Sequence, residues 1–408
     1  MSGRRASHPR PVPIVDESAA LPPDALVDEE AFSWYEADKW YPIRKGETIQ
    51  NKYQVLLKLG YGSVSTVWLC RDLIQHKYMT LKVYETGHRQ ACNEYRVLQH
   101  IASIESSHLG AKFVRHALDE FELAGQRGPH KCLVYQPLGL TLGEIRHIAG
   151  GQIPGDILKS LAYGMLLALD FLHTEAMVVH TDLQEGNIMI SIEDEAFFYE
   201  VVEDEWASPS AVKIDKGRIV YTTTSMDIPD DPGSPVIADF GDAQFGEDEY
   251  TVEVMPDLYR APEIILGIAW DEKIDIWAFG LMVSLLVCLL EAANDKLKIW
   301  DLFEGKHLFN RRLPSRQASC KPHLARTIEL LGPPPPDLLT TGAMTKHFFD
   351  EKGKMKTQGG SLEEEEENLE GDEKAEFLAF LRKMLQWRPE DRKSARELLN
   401  DPWLRVDT

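Results

Sequence analysis

This chain has few cysteines, no apolar run long enough to cross a bilayer, and much less positive charge than negative, and each shortage narrows what it can be. Its five cysteines, Cys70, Cys92, Cys132, Cys288 and Cys320, form no C-x-x-C pair and meet no matching histidine cluster. A disulfide scaffold and a structural zinc site are therefore not expected, and a reducing compartment, cytoplasm or nucleus, is. The opening residues carry Arg4, Arg5, Arg10 and several prolines in place of an apolar signal core, so secretion by that route is not expected. The most apolar stretch, Ile276 to Leu290, is interrupted by Gly280 and Ser284 and falls short of the about 20 apolar residues of a membrane span. Lys and Arg number 44 against 66 Asp and Glu, a formal net charge of -22. That balance argues against nucleic acid as a partner and suits a basic polypeptide. Part of the charge is local, as in Glu363 to Glu367, where it serves solubility.

What is present is enough for a large two-lobed domain: 408 residues, 43% of them hydrophobic. Residues 1–30 are rich in Pro, Ser and charge without apolar periodicity and read as a disordered tail. An extension over 31–52 is expected to pack on the small lobe that follows. Tyr53 to Tyr84 alternates apolar and polar residues around a glycine-bearing turn, the pattern of successive antiparallel strands. Gln90 to Ser103 has Tyr95, Leu98 and Ile101 at helical spacing, and Cys132 to Gln136 reads as another strand. From about 140 the chain is mostly helical, broken by an acidic, Thr/Ser/Pro-rich stretch over 191–235 that reads as an insertion.

Three groups of residues carry chemistry. In LGYGSVSTV the residues Leu59, Gly60, Tyr61, Gly62, Ser63, Val64, Ser65, Thr66 and Val67 place two glycines between strand-like runs. Missing side chains there let backbone N–H groups approach phosphate oxygens. Lys82, in MTLKVY, is a cation within an apolar strand, and Glu94 on the next helix can pair with it; a lysine so held reaches the α- and β-phosphates of a nucleotide. HTDLQEGNIMI (His180 to Ile190) and VIADFGD (Val236 to Asp242) each set oxygen-bearing side chains in loops beside apolar strands. Phosphoryl transfer needs a carboxylate to orient the attacking hydroxyl and oxygen ligands for Mg2+. Asp182 fits the first task; Asn187 and Asp239 fit the second.

With these motifs the chain resembles the eukaryotic protein kinases from about Tyr53 to Leu404. YRAPE (Tyr259 to Glu263), DIWAFG (Asp275 to Gly280) and Arg392 in WRPEDR extend the likeness. The resemblance implies an α+β, two-lobed protein kinase fold: an antiparallel sheet small lobe over 53–137 and a mostly helical large lobe over 138–404, with ATP in the cleft between. It also implies a buried Glu263–Arg392 ion pair and an Asp275 that holds the catalytic-loop backbone. Within the family the chain is similar to the SR-protein kinases, in YPIRKGE (Tyr41 to Glu47), in LGYGSVSTVWL, in HTDL and in HLARTIELLG (His323 to Gly332). From this follow Tyr135 as gatekeeper and Gln136 to Leu138 as the adenine-binding hinge. A monomeric Ser/Thr kinase acting on basic or Arg-Ser-containing proteins of mRNA splicing is expected, with no nucleic-acid or membrane partner.

The departures are specific. Gln184 stands where these kinases carry a lysine that neutralises γ-phosphate charge, and Pro256 where a threonine bridges that lysine to the catalytic aspartate. They keep open a second reading, a nucleotide-binding scaffold without turnover. Thr181 replaces the arginine that pairs with a phosphorylated activation loop, and Glu247, Asp248, Glu249 and Glu253 surround Tyr250 and Thr251. Activation is therefore expected without loop phosphorylation. Asn310 to Pro322 is basic where the SR-protein kinases form an acidic docking groove, so processive phosphorylation of Arg-Ser repeats is not expected.

Overall fold

The computed structural model describes residues 7–13, 20–149, 155–229, 231–247, 249–287, 316–350, 353 and 371–405. Cys288, Asp248, the segment 310–315 and the acidic run 363–367 lie outside them. The strands in chain order begin with β1 (Thr48–Ile49), β2 (Tyr53–Tyr61), β3 (Ser65–Asp72), β4 (Lys77–Tyr84), β5 (Ala117–Ala124) and β6 (Pro129–Tyr135). They continue with β7 (Leu138–Thr141), β8 (Val178–Val179), β9 (Ile188–Ser191), β10 (Val212–Asp215), β11 (Arg218–Tyr221), β12 (Pro235–Ile237) and β13 (Gln244–Phe245). The first helices are α1 (Arg89–Ala102), α2 (Leu142–Ile148), α3 (Gly155–Thr174), α4 (Ala196–Ala207), α5 (Pro262–Leu266) and α6 (Lys273–Val287). After them come α7 (Arg316–Leu331), α8 (Pro336–Thr341), α9 (Gly371–Arg382) and α10 (Ala395–Leu398).

Two units share the chain. The first comprises Met1–Ala102, Arg115–Leu140 and Ile190–Gly233; the second comprises Ser103–Val114, Thr141–Met189 and Ser234–Thr408. The 191–235 insertion thus belongs with the sheet, not with the helices that flank it in sequence.

The first unit is built on an antiparallel sheet of order β1-β2-β3-β4-β6-β5. Lys82 lies opposite Val67 on one side and Leu133 on the other, in the middle of the sheet. Because side chains alternate along a strand, Met79, Leu81 and Val83 join one apolar cluster with Val55, Trp68, Cys70 and Val134. Lys82 is turned to the opposite face. The insertion, read from sequence as largely irregular, forms a helix and a hairpin. Val212 and Tyr221 of β10 and β11 complete the cluster just named, while Phe198 and Val202 of α4 pack with Leu56, Leu57, Leu69 and Tyr78 in a second.

The described parts of the expected tail are not structureless. Leu21 bridges to Lys213 of β10, and the guanidinium of Arg10 lies 4.5 Å from the Trp206 ring centroid and donates to Glu203 at 2.6 Å. Asp28, Glu29 and Glu30 find buried cations: Lys58 donates to Glu29 at 2.5 Å, and Lys213 to Glu30 at 2.7 Å. A buried amine needs such partners, and an apolar-periodicity reading has no means of seeing them.

The second unit is helical. Leu158, Ala162, Leu166, Leu169 and Leu172 of α3 are fully buried. Ile157–Thr174, although interrupted by Lys159 and Asp170, is by length and composition alone apolar enough to span a membrane, but 61% of that window is buried inside the protein, as in a core helix. On α6, Ile274, Ile276, Trp277, Phe279 and Met282 are buried, apolar all round as a central helix must be. Gly280 has no Cβ because one would come within 3.0 Å of Met384 and 3.1 Å of Leu385. Arg392 and Glu263 form a two-pronged buried pair at 2.6 and 2.7 Å, as expected.

Candidate active site

The residues expected to face phosphate lie in the first unit. β2 and β3 run into the Gly62–Val64 turn, closed by the Gly62 N–H donating to the Ser65 carbonyl at 2.7 Å. A Cβ at Gly60 would meet nothing within 4 Å, so the strand's side is open where a ligand's oxygens would approach. Lys82 donates to Glu94 of α1 at 2.8 Å, both buried. The same carboxylate accepts from the hydroxyl of Tyr135 at 2.9 Å and from that of Tyr84. Burial, with the Glu94 charge adding to it, pushes the Tyr135 phenol well above its ordinary pKa, so it stays a donor. Three donors converge on one carboxylate and fix where Lys82 points. Tyr135 was expected here as gatekeeper but not as a donor to Glu94; Tyr84 was not expected, although it stands two residues past Lys82, on the same strand face. In the expected hinge, Gln136 is exposed and Leu138 buried.

The residues expected to carry the transfer lie in the second unit. Asp275 accepts from the His180 N–H at 2.7 Å and the Thr181 N–H at 2.9 Å, and lies 3.0 Å from His173 Nε2. Thr181 holds a left-handed backbone (φ 68°) and donates its hydroxyl to the Asp242 carbonyl at 2.9 Å. These contacts present Asp182. Its two oxygens accept from Gln184 Nε2 at 2.9 Å and Asn187 Nδ2 at 2.8 Å. Burial raises the Asp182 carboxyl to about 6; the charge of Asp239 adds to the rise, while His180 and the two amides oppose it. Gln184, which stands where the resemblance places a phosphate-binding lysine, donates to the Asp182 carboxylate.

Asp239 also has a left-handed backbone (φ 61°), its carboxylate accepting from the Gly241 N–H at 3.3 Å. The Ala238 N–H donates to the Asn187 carbonyl at 2.8 Å and ties the two loops together. With the Asn187 side-chain amide protons committed to Asp182 and its backbone carbonyl taken by Ala238, its Oδ1 is the ligand it can offer. Asn187 and Asp239 thus supply hard oxygen donors suited to a divalent cation. Among the described residues no group of three His, Cys, Asp or Glu side chains forms a closed metal cage, so a cation here needs substrate oxygens and water to complete its shell.

Downstream, Arg260 is buried. It donates to the Met255 carbonyl at 3.0 Å and to Cys320 Sγ at 3.2 Å, and pairs with Asp257 at 2.8 Å. Tyr250 is also buried, exchanging backbone hydrogen bonds of 2.8 and 2.9 Å with Trp270 and stacking on its ring at 4.8 Å.

These arrangements are those of a protein kinase, and the protein kinase domain family matches residues 53–404; the chain belongs to that family, with ATP as phosphate donor. Its relatives narrow the class. It is 38% identical over 409 residues to a serine/threonine protein kinase of Aspergillus fumigatus, covering 98% of this chain and 96% of the relative. It is 29% identical to the serine/threonine-protein kinase SRPK of Physarum polycephalum, over 92% and 91% of the two chains. With protein kinase dsk1 of Schizosaccharomyces pombe it shares 26% identity, over 92% and 85%.

Proposed function

We propose that this chain is an active serine/threonine kinase of the SR-protein-kinase type, with Asp182 as the catalytic base. The carrying observation is the Asp182 carboxylate, held by two amides and poised near 6, so that it is ionised at neutral pH and still basic enough to take a hydroxyl proton. In this reading Lys82, aligned by Glu94, binds the α- and β-phosphates, and the turn from Leu59 to Val67 covers them. Asn187 and Asp239 hold Mg2+, which when bound offsets the charge of the transferring phosphate. Gln136 to Leu138 carry adenine.

The scaffold reading rested on Gln184 and Pro256. It is not favoured, because Gln184 has a positioning task in the transfer machinery. A basic, serine-containing protein is the proposed substrate, which the net charge of -22 supports. The proposed setting is cytoplasm or nucleus, with the kinase acting as a monomer and binding neither nucleic acid nor membrane.

Asp182→Asn tests this reading. Phosphate transfer from labelled ATP to a basic serine peptide should fall by about 100-fold or more, with ATP still bound as measured calorimetrically. Transfer retained in the variant would overturn the assignment.

A further inference from the structure

The N-terminal extension does more than pack on the sheet. After the Asp28–Ala31 turn the chain carries Phe32 and Trp34, whose rings stack at 4.9 Å and 13°. Phe32 meets Tyr61 edge-on at 5.9 Å, and Trp34 Nε1 donates to the Ser63 carbonyl at 3.1 Å. Tyr61 and Ser63 flank Gly62 at the tip of the glycine turn. Yet Trp34 is 54% exposed and Tyr61 43%, so apolar burial accounts for little of this contact.

The span is pinned on both sides. Upstream, Lys58 holds Glu29 at 2.5 Å and Asp28 at 3.1 Å, and the Thr223 N–H donates to Asp28 at 2.7 Å. Downstream, Arg218 donates to the Trp40 carbonyl at 2.9 Å, and Arg127 in the β5–β6 turn pairs with Glu36 at 2.8 Å and Asp38 at 2.6 Å. Both anchors belong to the same unit as the glycine turn. A glycine-bearing turn is costly to order. A fixed segment that holds its tip by one hydrogen bond and one ring contact meets part of that cost before any ligand arrives.

We propose that Trp34, with Phe32, is a positioning latch that orders the Leu59–Val67 turn for nucleotide. The proposal rests on the reading of that turn as the phosphate cover. The latch touches no reacting atom. Its effect is on the fraction of molecules whose turn is ready to bind, and apparent affinity scales with that fraction.

The test uses the full chain with Trp34→Ala and Trp34→Phe, the latter keeping a ring but losing the N–H donor. Hydrogen exchange of residues 59–66 is first measured without nucleotide. Trp34→Ala should speed exchange there by about three- to tenfold, the scale of one hydrogen bond and one aromatic contact, with Trp34→Phe in between. Steady-state kinetics should then show KM for ATP raised by a similar factor, with kcat and peptide KM within about twofold of wild type. Unchanged exchange in Trp34→Ala, or an unchanged or lowered KM for ATP, overturns the latch. Failure of the phosphate-cover reading shows separately, as wild-type protein whose 59–66 exchange does not slow when ATP is added.

Discussion

The two units bury charge in different ways. In the helical unit Arg392 meets Glu263 inside the core, its remaining donors taken by the carbonyls of Gln386 and Lys273. In the sheet unit Lys58 and Lys213 meet Glu29 and Glu30 of the N-terminal tail, and Lys45 meets Glu205 of α4. The first pair closes a core upon itself, whereas the second set joins the N-terminal segment, the insertion and the sheet to one another. The glycine turn therefore has surroundings supplied by chain ahead of residue 53, whereas the catalytic loop is held by Asp275 and Asp242 further along the chain.

Breaking one member of each set sharpens this contrast. Arg392→Met strands Glu263 among apolar side chains and should cost about 3–5 kcal/mol in urea unfolding. Lys58→Met should cost less, about 2 kcal/mol, because Asp28 and Glu29 can regain water by local release of the extension. Limited proteolysis should then cut within 21–40 while the rest of the sheet stays protected. Equal losses with no selective cleavage would erase the distinction.

Asp182 offers a test by pH. Its folded pKa of about 6 lies above the ordinary aspartate value, so between about 4 and 6 the folded chain holds the proton more tightly than the unfolded one. Its contribution to stability therefore declines as pH rises through that window. Asp182→Asn lacks this penalty: its melting temperature should gain on wild type from pH 4 to 6 and hold the gain above. In wild type, kcat/KM should rise to a plateau with an inflection near 6. Gln184→Ala, which removes one of the two amides, should lower kcat by about tenfold or more, the value of one hydrogen bond to a charged group.

Much of this was legible in sequence where the contacts are short-range. Asp182, Gln184 and Asn187 lie within one loop, and Lys82 with Glu94 follows from a strand and the next helix. The buried Glu263–Arg392 pair and the Asp275 clamp came through family likeness, since nothing local joins residues so far apart. The insertion was misjudged because α4 is amphipathic over barely three turns and its partners are strands far upstream. The order in the described part of the 1–30 tail was not foreseen, because it comes from acids meeting Lys58 and Lys213, which no periodicity records. Gln184 was seen as a departure, but only geometry revealed its hydrogen bond to Asp182.

The smallest expected effect falls on the activation segment. Tyr250 and Thr251 have the look of phosphorylation sites, flanked by acids and set between the Asp239 loop and YRAPE. Tyr250, however, is buried against Trp270, paired with it through two backbone hydrogen bonds, and its hydroxyl accepts the Glu247 N–H at 3.2 Å. Thr181, where an arginine would greet a phosphate, is buried with its hydroxyl committed to Asp242. A phosphate on Tyr250 would have to break the Trp270 stack and would meet Glu253 nearby in sequence. Tyr250→Phe with Thr251→Val keeps the ring and the backbone pairing, so activity towards a basic serine peptide should stay within about twofold of wild type. A loss of tenfold or more in that double variant would mean that the segment is switched by phosphorylation, and that the transfer-side unit depends on added charge as much as the sheet unit depends on its flanking acids.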